Sequence, residues 1–173
     1  MSRGLLRKGY SSYNESREEL TYGDYEFIRT QDGWATEVDG RMYEFSYLPS
    51  DVEELNISRD VSERLKGLKV VYITFNPNSK AVQQLELMRF ELGRSFSEMF
   101  GIYPMPGITE ENEQYNQTLI TCENATVSIP VIHIVEANDT NAYVGGNCIV
   151  LEPNEFSAIA LKDWILYSML GII

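Results

Sequence analysis

Histidine and cysteine are scarce in this sequence, which has one histidine and two cysteines among its 173 residues. A structural zinc site uses about four nitrogen or sulfur ligands, so we expect no metal site. We expect no other cofactor either. Lysine and arginine are also few, at 14 against 26 acidic residues, and the formal net charge is −12. Because nucleic-acid binding depends on basic residues that neutralise phosphates, this balance argues against a nucleic-acid partner.

Long hydrophobic runs are absent as well, because no stretch reaches the roughly 18 apolar residues that a membrane-spanning helix needs. The opening MSRGLLRKGY also lacks the apolar core of a signal peptide. Residues 1–20 are polar and weakly periodic, so we interpret them as a flexible tail or a linker from a removed anchor. Residues 21–173 are long and apolar enough to form a single globular domain with its own core. Any membrane attachment is therefore expected to come from an anchor outside this sequence.

Three short strands are predicted near the beginning of the domain. The segment DYEFIRTQDGWATEVDGRMYEFSYLP alternates apolar and polar residues and contains two Asp-Gly pairs, Asp32-Gly33 and Asp39-Gly40. Asp-Gly favours the tight turn of a β-hairpin, because glycine adopts a positive φ without strain. We therefore predict an antiparallel meander of three strands, at residues 24–30, 34–38 and 41–47.

Strands and helices alternate in the rest of the domain. The apolar run KVVYITF is typical of a strand that is covered on both faces, and TLIT, PVIHIV and NCIVLE are further predicted strands. Apolar residues at three- and four-residue steps predict a long amphipathic helix at 80–100, after a short helix at 59–66. Residues 101–117 contain two prolines and two glycines and are predicted to form a surface loop. A last helix at 155–170 is apolar on nearly all sides, so we expect it to be buried from Phe156 onward.

The order of these elements predicts the fold class. An N-terminal antiparallel β-meander leads into a β-α-β-β-β-α unit, in which buried apolar strands alternate with helices. Strand-helix alternation of this kind favours an α/β fold with a mixed sheet and two main helices. An α+β fold is the alternative.

The two cysteines leave several interpretations open. Cys122 and Cys148 each adjoin a predicted strand, and neighbouring strands bring Cα atoms within the range of a disulfide bond. Two buried free thiols are the alternative, because cysteine is a common core residue. A third interpretation makes Cys122 the nucleophile of a hydrolase and His133 its base. No nucleophile elbow surrounds Cys122, and a histidine in the strand PVIHIV is more often a structural residue than a base.

Two other positions are candidates for a site. Asp163 lies within the most apolar helix, and a buried carboxylate needs a cation or several hydrogen-bond donors. We interpret Asp163 as a buried structural carboxylate rather than a catalytic group. The turn at residues 76–79 joins a strand to the beginning of a helix, where anions often bind. It lacks the glycines that let a backbone wrap a phosphate, so its signal is weak.

Sequons for N-linked glycosylation are more frequent than the asparagine, serine and threonine content predicts by chance. There are five Asn-x-Ser/Thr triplets, each at a predicted turn, loop or element edge, and their asparagines are Asn14, Asn56, Asn116, Asn124 and Asn138. Such positions are where a glycan can extend into solvent. Glycosylation and a disulfide would both place the protein in an oxidising, extracytoplasmic compartment.

From Tyr25 onward the chain resembles a group of uncharacterised archaeal proteins with an N-terminal membrane anchor and an extracytoplasmic domain. The resemblance is carried by the segments GWATEVDGRMYEFSYLPSDVE, VYITFNP, RFELGRSF, TCENATVSIPVIHI, GNCIVLE and KDWILYSMLGII. The last segments are also similar to α/β parts of archaeal surface-layer proteins. The resemblance implies an anchored cell-surface location, pairing of Cys122 with Cys148 and no catalytic residues.

Three functions remain as hypotheses at this point. The first is a non-enzymatic extracytoplasmic surface or interaction domain, whose partner is a protein or another cell-surface component. The second is a hydrolase that uses Cys122 and His133, and the third is a cytoplasmic partner-binding module with two free thiols. We expect the first, with the protein held at the cell surface by an N-terminal anchor.

Overall fold

Ten strands form two sheets, and four helices pack against them, within residues 18–173, the part of the chain that the computed structural model describes. The predicted fold class is confirmed: an antiparallel meander precedes a mixed α/β sheet. Most of the tail assigned to residues 1–20 lies outside the described residues. The first strand nevertheless begins at Glu19, so the boundary at residue 20 is too late.

The first sheet is an antiparallel meander of four strands in sequence order. Their bounds are β1 Glu19–Tyr22, β2 Tyr25–Arg29, β3 Trp34–Val38 and β4 Arg41–Phe45. The pair Asp39-Gly40 forms a tight turn with φ of 49° and 82°, as the sequence predicts. Gly33 has no positive φ, and its Cβ would lie 2.0 Å from the backbone oxygen of Phe45. Glycine in the first Asp-Gly pair therefore allows the backbone of β4 to approach closely. Strand β1 was not predicted from the sequence.

The second sheet has six strands in the order β7-β6-β5-β8-β10-β9. All neighbouring pairs are parallel except β9 with β10. The strand bounds are β5 Val70–Phe75, β6 Tyr103–Ile108, β7 Thr118–Leu119, β8 Val131–Ile134, β9 Asn141–Gly145 and β10 Cys148–Glu152. The helices are α1 Pro49–Val52, α2 Asp60–Leu65, α3 Val82–Phe100 and α4 Ala158–Met169.

Strand β6 corrects the prediction of a loop over residues 101–117. Tyr103 N–H donates to the Lys69 carbonyl at 2.8 Å, and Thr109 N–H donates to that of Phe75 at 3.1 Å. Because the hydrogen-bonding direction alternates along a strand, every second N–H between them also points toward β5. Pro104 and Pro106 occupy the positions in between, whose backbone nitrogens face away from β5 toward β7. Strand β7 pairs only with Gly107 and Ile108 at the end of β6, so the two prolines leave no hydrogen bond of the sheet unmade.

Helix α4 connects the two sheets through side chains on one of its faces. Asp163 is fully buried, and its Oδ2 accepts the backbone N–H groups of Ser46 at 2.9 Å and Tyr47 at 3.0 Å. One turn later, the Tyr167 hydroxyl donates to the Tyr47 carbonyl at 2.5 Å, and its ring stacks on Phe45 with centroids 4.1 Å apart. Asp163 and Tyr167 therefore fix the chain where it leaves the meander.

The charge of Asp163 is only partly compensated. Within residues 18–173 its Oδ1 accepts no hydrogen bond, and Lys162 Nζ lies 3.4 Å from that oxygen. Burial raises the pKa of Asp163, although Lys162 and the two backbone donors act in the opposite direction.

None of the helices in residues 18–173 is long and apolar enough to cross a membrane.

Candidate functional site

The topology places a crevice at the carboxyl ends of strands β5 and β8. These strands are neighbours, but the chain leaves β5 through α3 toward β6 on one side and leaves β8 toward β9 and β10 on the other. Connections that diverge in this way leave an opening above the sheet, and open α/β proteins bind their ligands there. A ligand site is therefore expected at this end of the second sheet.

A cleft of about 770 Å³ lies at this position. Its walls come from three segments that are distant in sequence: the beginning of α3, the residues after β8 and the residues between β10 and α4. The side chains that give the cleft its chemistry are Lys80, Gln84, Glu136, Asn138, Glu155 and Phe156. We name it the carboxyl-end cleft.

Hydrogen bonds hold the three walls together. Gln84 Nε2 donates to the carbonyl oxygens of Asn154 at 2.9 Å and Glu155 at 3.0 Å, which ties α3 to the segment before α4. Ser79 Oγ donates to Glu136 Oε1 at 2.9 Å and links the beginning of α3 to the segment after β8. These contacts make the cleft a preformed feature rather than a gap between independent loops.

The segment before α4 is ordered so that Phe156 projects outward. Ser157 Oγ accepts from the backbone N–H of Asn154 at 2.9 Å and from Thr140 Oγ1 at 2.5 Å. Asn154 Oδ1 in turn accepts the N–H of Phe156 at 2.9 Å. Phe156 precedes helix α4 and is 83% exposed, so the prediction that it begins the buried face of the last helix is wrong.

The charge of the cleft is slightly negative. Lys80 contributes one positive charge, and Glu136 and Glu155 contribute two negative charges. Amide groups of Gln84 and Asn138 add neutral donors and acceptors beside the exposed ring of Phe156. Such a lining suits a polar ligand that offers hydroxyl groups, and it is unfavourable for an anion.

The turn at residues 76–79, a weak candidate for anion binding, lies next to the cleft and contacts a carboxylate of the chain itself. Asn76 Nδ2 donates to Glu110 Oε1 at 3.2 Å, and Asn78 Nδ2 donates to Glu110 Oε2 at 3.0 Å. Asn112 Nδ2 donates to Asn78 Oδ1 at 2.8 Å. The amides of Asn76 and Asn78 therefore hold the loop after β6 against the end of β5.

The two cysteines form a disulfide at the opposite end of the sheet. Cys122 lies in a short 3-10 helical turn and Cys148 is the first residue of β10, with their Cα atoms 5.2 Å apart. The disulfide interpretation is thus confirmed. Arg64 Nη2 supports the same region, because it donates to the carbonyls of Thr126 at 3.0 Å and Val127 at 2.8 Å.

The Cys122–His133 pair has no free thiol in this structure. Cys122 Sγ is bonded to Cys148, so a nucleophilic thiolate would require reduction of the disulfide first. His133 lies in the middle strand β8, in register with Thr74 of β5 and Val150 of β10. It is half-buried, and burial lowers the pKa of its imidazole. Neither residue lines the carboxyl-end cleft.

No group of three or more histidine, cysteine, aspartate or glutamate residues in the range 18–173 is arranged to hold a metal ion.

A half-buried arginine, Arg89, lies on the face of α3 that covers the sheet. Arg89 lies 4.4 Å from the ring centroid of Phe75 and donates to the Gly107 carbonyl and to Gln117 Oε1, both at 2.8 Å. Burial lowers the pKa of Arg89, and these contacts give it a structural role.

Four of the five sequon asparagines lie within the described residues, and all four are exposed: Asn56, Asn116, Asn124 and Asn138. Asn14 lies outside them. Asn56 Nδ2 donates to Asn141 Oδ1 at 2.6 Å, whereas Asn124 Oδ1 accepts the Thr121 N–H at 2.8 Å. Asn138 differs from the others because it lines the carboxyl-end cleft. Glycosylation at each position stays a prediction.

Sequence reasoning missed the cleft, although it had located the elements that surround it. Its polar residues occupy the first few positions after strands or before helices, and many loops share that composition. The only signal was positional: Lys80 and Glu136 follow two predicted strands, which the structure shows to be parallel neighbours whose carboxyl ends meet at one edge. That signal becomes specific only when the strand order is known.

Comparison with known proteins finds no matching family model, no matching curated protein and no matching solved structure.

Proposed function

We propose that this chain is a non-enzymatic extracytoplasmic interaction domain that is held at the cell surface by an anchor upstream of residue 1. The observation that carries the proposal is the disulfide between Cys122 and Cys148. Structural disulfides persist in oxidising compartments and are rare in the cytosol, where thiols are kept reduced. Exposure of the sequon asparagines is compatible with the same compartment.

The carboxyl-end cleft is the surface we assign to partner binding. It is preformed, polar and open, and it displays an aromatic ring at its wall. The disulfide lies at the other end of strand β10, so it stabilises the sheet without entering the cleft. In this proposal the partner is a component of the cell surface, and the cleft binds it without chemical conversion.

The decisive experiment is the intact mass of the protein from the cells that produce it, measured with and without reductant. A gain of two hydrogen masses on reduction and sugar-sized increments above the chain mass are expected. Detection of a longer precursor with a hydrophobic segment before residue 1 would identify the anchor.

The alternatives give different masses and reactivity. Two free thiols that react with an alkylating agent before reduction, together with a bare chain, would contradict the proposal and favour a cytoplasmic binding module. Esterase or peptidase activity that appears on reduction and is lost in both Cys122→Ala and His133→Ala would favour the hydrolase.

A further inference from the structure

We infer that the carboxyl-end cleft binds a saccharide, with the ring of Phe156 as the surface on which a sugar stacks. This inference rests on the proposed binding role of the cleft and specifies its ligand. Three features of the cleft support it: a largely exposed aromatic ring, a polar lining with little net charge, and a sequon asparagine in the wall.

Phe156 is the most exposed large hydrophobic side chain of the described residues, at 83%. Its backbone is held in place, since Asn154 Oδ1 accepts its N–H and Gln84 Nε2 donates to the carbonyls of the two preceding residues, Asn154 and Glu155. An aromatic ring on a fixed backbone at a cleft wall offers a flat apolar face at low entropic cost. The C–H face of a pyranose ring matches such a surface.

The remaining groups suit hydroxyls better than charged ligands. Glu136 and Glu155 supply acceptors, Lys80 supplies a donor, and Gln84 and Asn138 carry amides that can act as both. The side-chain charge of this lining, one cation against two carboxylates, disfavours a phosphate or carboxylate ligand. A neutral polyhydroxy ligand avoids this penalty.

Asn138 provides one possible source of the sugar. It lines the cleft, is exposed and begins the triplet Asn138-Asp139-Thr140, so a glycan on its Nδ2 would start inside the cleft. The Ala137 N–H donates to the Pro153 carbonyl at 3.1 Å, which joins the segment that carries Asn138 to the segment that carries Phe156. The saccharide is therefore either this glycan or a glycan of the cell surface, and both would use the same ring.

The first arm of the test uses unglycosylated full-length protein. Maltotriose, mannotriose and chitotriose are titrated calorimetrically, with inorganic phosphate and putrescine as the anionic and cationic comparisons. We expect at least one trisaccharide to bind the wild-type protein saturably. Its dissociation constant for the Phe156→Ala variant should be roughly tenfold higher. The matched control is Phe90→Ala, because Phe90 is 64% exposed on α3 but does not line the cleft. It should leave binding unchanged.

The second arm uses protein with a glycan at Asn138, identified by peptide mass. Phe156→Ala should lower its melting temperature by about 2–5 °C and should have no such effect in the Asn138→Gln background. Asn124→Gln is the control, since it removes a sequon on the disulfide side of the sheet. Where Asn138 carries no glycan, the first arm alone decides.

The inference is wrong if no trisaccharide binds and Phe156 shows no coupling to an Asn138 glycan. It is also wrong if saccharide binding survives Phe156→Ala, or if only phosphate or putrescine binds. A protein that is exported with its disulfide intact but fails both arms would overturn the saccharide inference and leave the proposed surface location standing.

Discussion

Removal of the Cys122–Cys148 bond gives a stability change that can be calculated from the structure. The bond closes a loop with a sequence separation of 26 residues, for which the chain-entropy relation gives about 3.5 kcal/mol. For a chain of this size, that loss corresponds to a fall in melting temperature of about 7–14 °C. We expect the double variant Cys122→Ala/Cys148→Ala to fold, because the Arg64 contacts to the carbonyls of Thr126 and Val127 remain.

Urea unfolding followed by tryptophan fluorescence measures this loss. Trp34 and Trp164 are buried in the described structure, so both report the loss of the core. The double variant and the reduced wild type should lose the same free energy of unfolding. Their m-values should increase, since the disulfide makes the unfolded chain more compact. A loss below about 1 kcal/mol, with an unchanged m-value, would refute the chain-entropy reasoning.

Three further predictions concern the core. Burial raises the pKa of Asp163, so the folded chain binds the proton of this carboxyl more tightly than the unfolded chain does. The free energy of unfolding of wild type should therefore increase, relative to that of Asp163→Asn, as pH falls from 7 toward about 4. Tyr167→Phe should cost about 1 kcal/mol in chemical unfolding, because a backbone carbonyl loses its donor. Gly33→Ala should cost about 3 kcal/mol, because its Cβ would meet the Phe45 oxygen. Gly145→Ala, whose Cβ meets no atom of residues 18–173 within 4 Å, is its control and should stay within about 0.5 kcal/mol.

Each of these has an outcome that would contradict it. The Asp163 prediction is contradicted if the free energy of unfolding of wild type, relative to that of Asp163→Asn, does not change with pH or decreases on acidification. Equal unfolding free energies for Tyr167→Phe and wild type would show that the hydroxyl contact contributes nothing. Equal effects of the two glycine substitutions would mean that the approach of the backbone at Gly33 relaxes at no cost.

Elements with a strong periodic pattern could be predicted from the sequence. Strands β2 to β5 and helix α3 were located because their apolar residues repeat at the period of one backbone conformation and turn residues bound them. Besides β1, strands β6 and β9 were missed, β6 because two prolines in YPMPGI argue against a strand and β9 because NAYVG is short and weakly apolar. The prolines of β6 are tolerated only because their positions face the weakly paired side of that strand, which depends on the strand order.

The candidate site shows the same division. The sequence by itself determined that Cys122 and Cys148 lie at or near strands, that Asp163 lies in an apolar helix and that the sequons at Asn56, Asn116 and Asn138 lie outside regular helices and strands, because each of these follows from local pattern and composition. Only the tertiary structure decided that β5 and β8 are neighbours with diverging connections and that Phe156 faces solvent beside Asn138. The physical reason is that the cleft is formed by three segments far apart in the chain, and their meeting depends on long-range strand pairing that no local window contains.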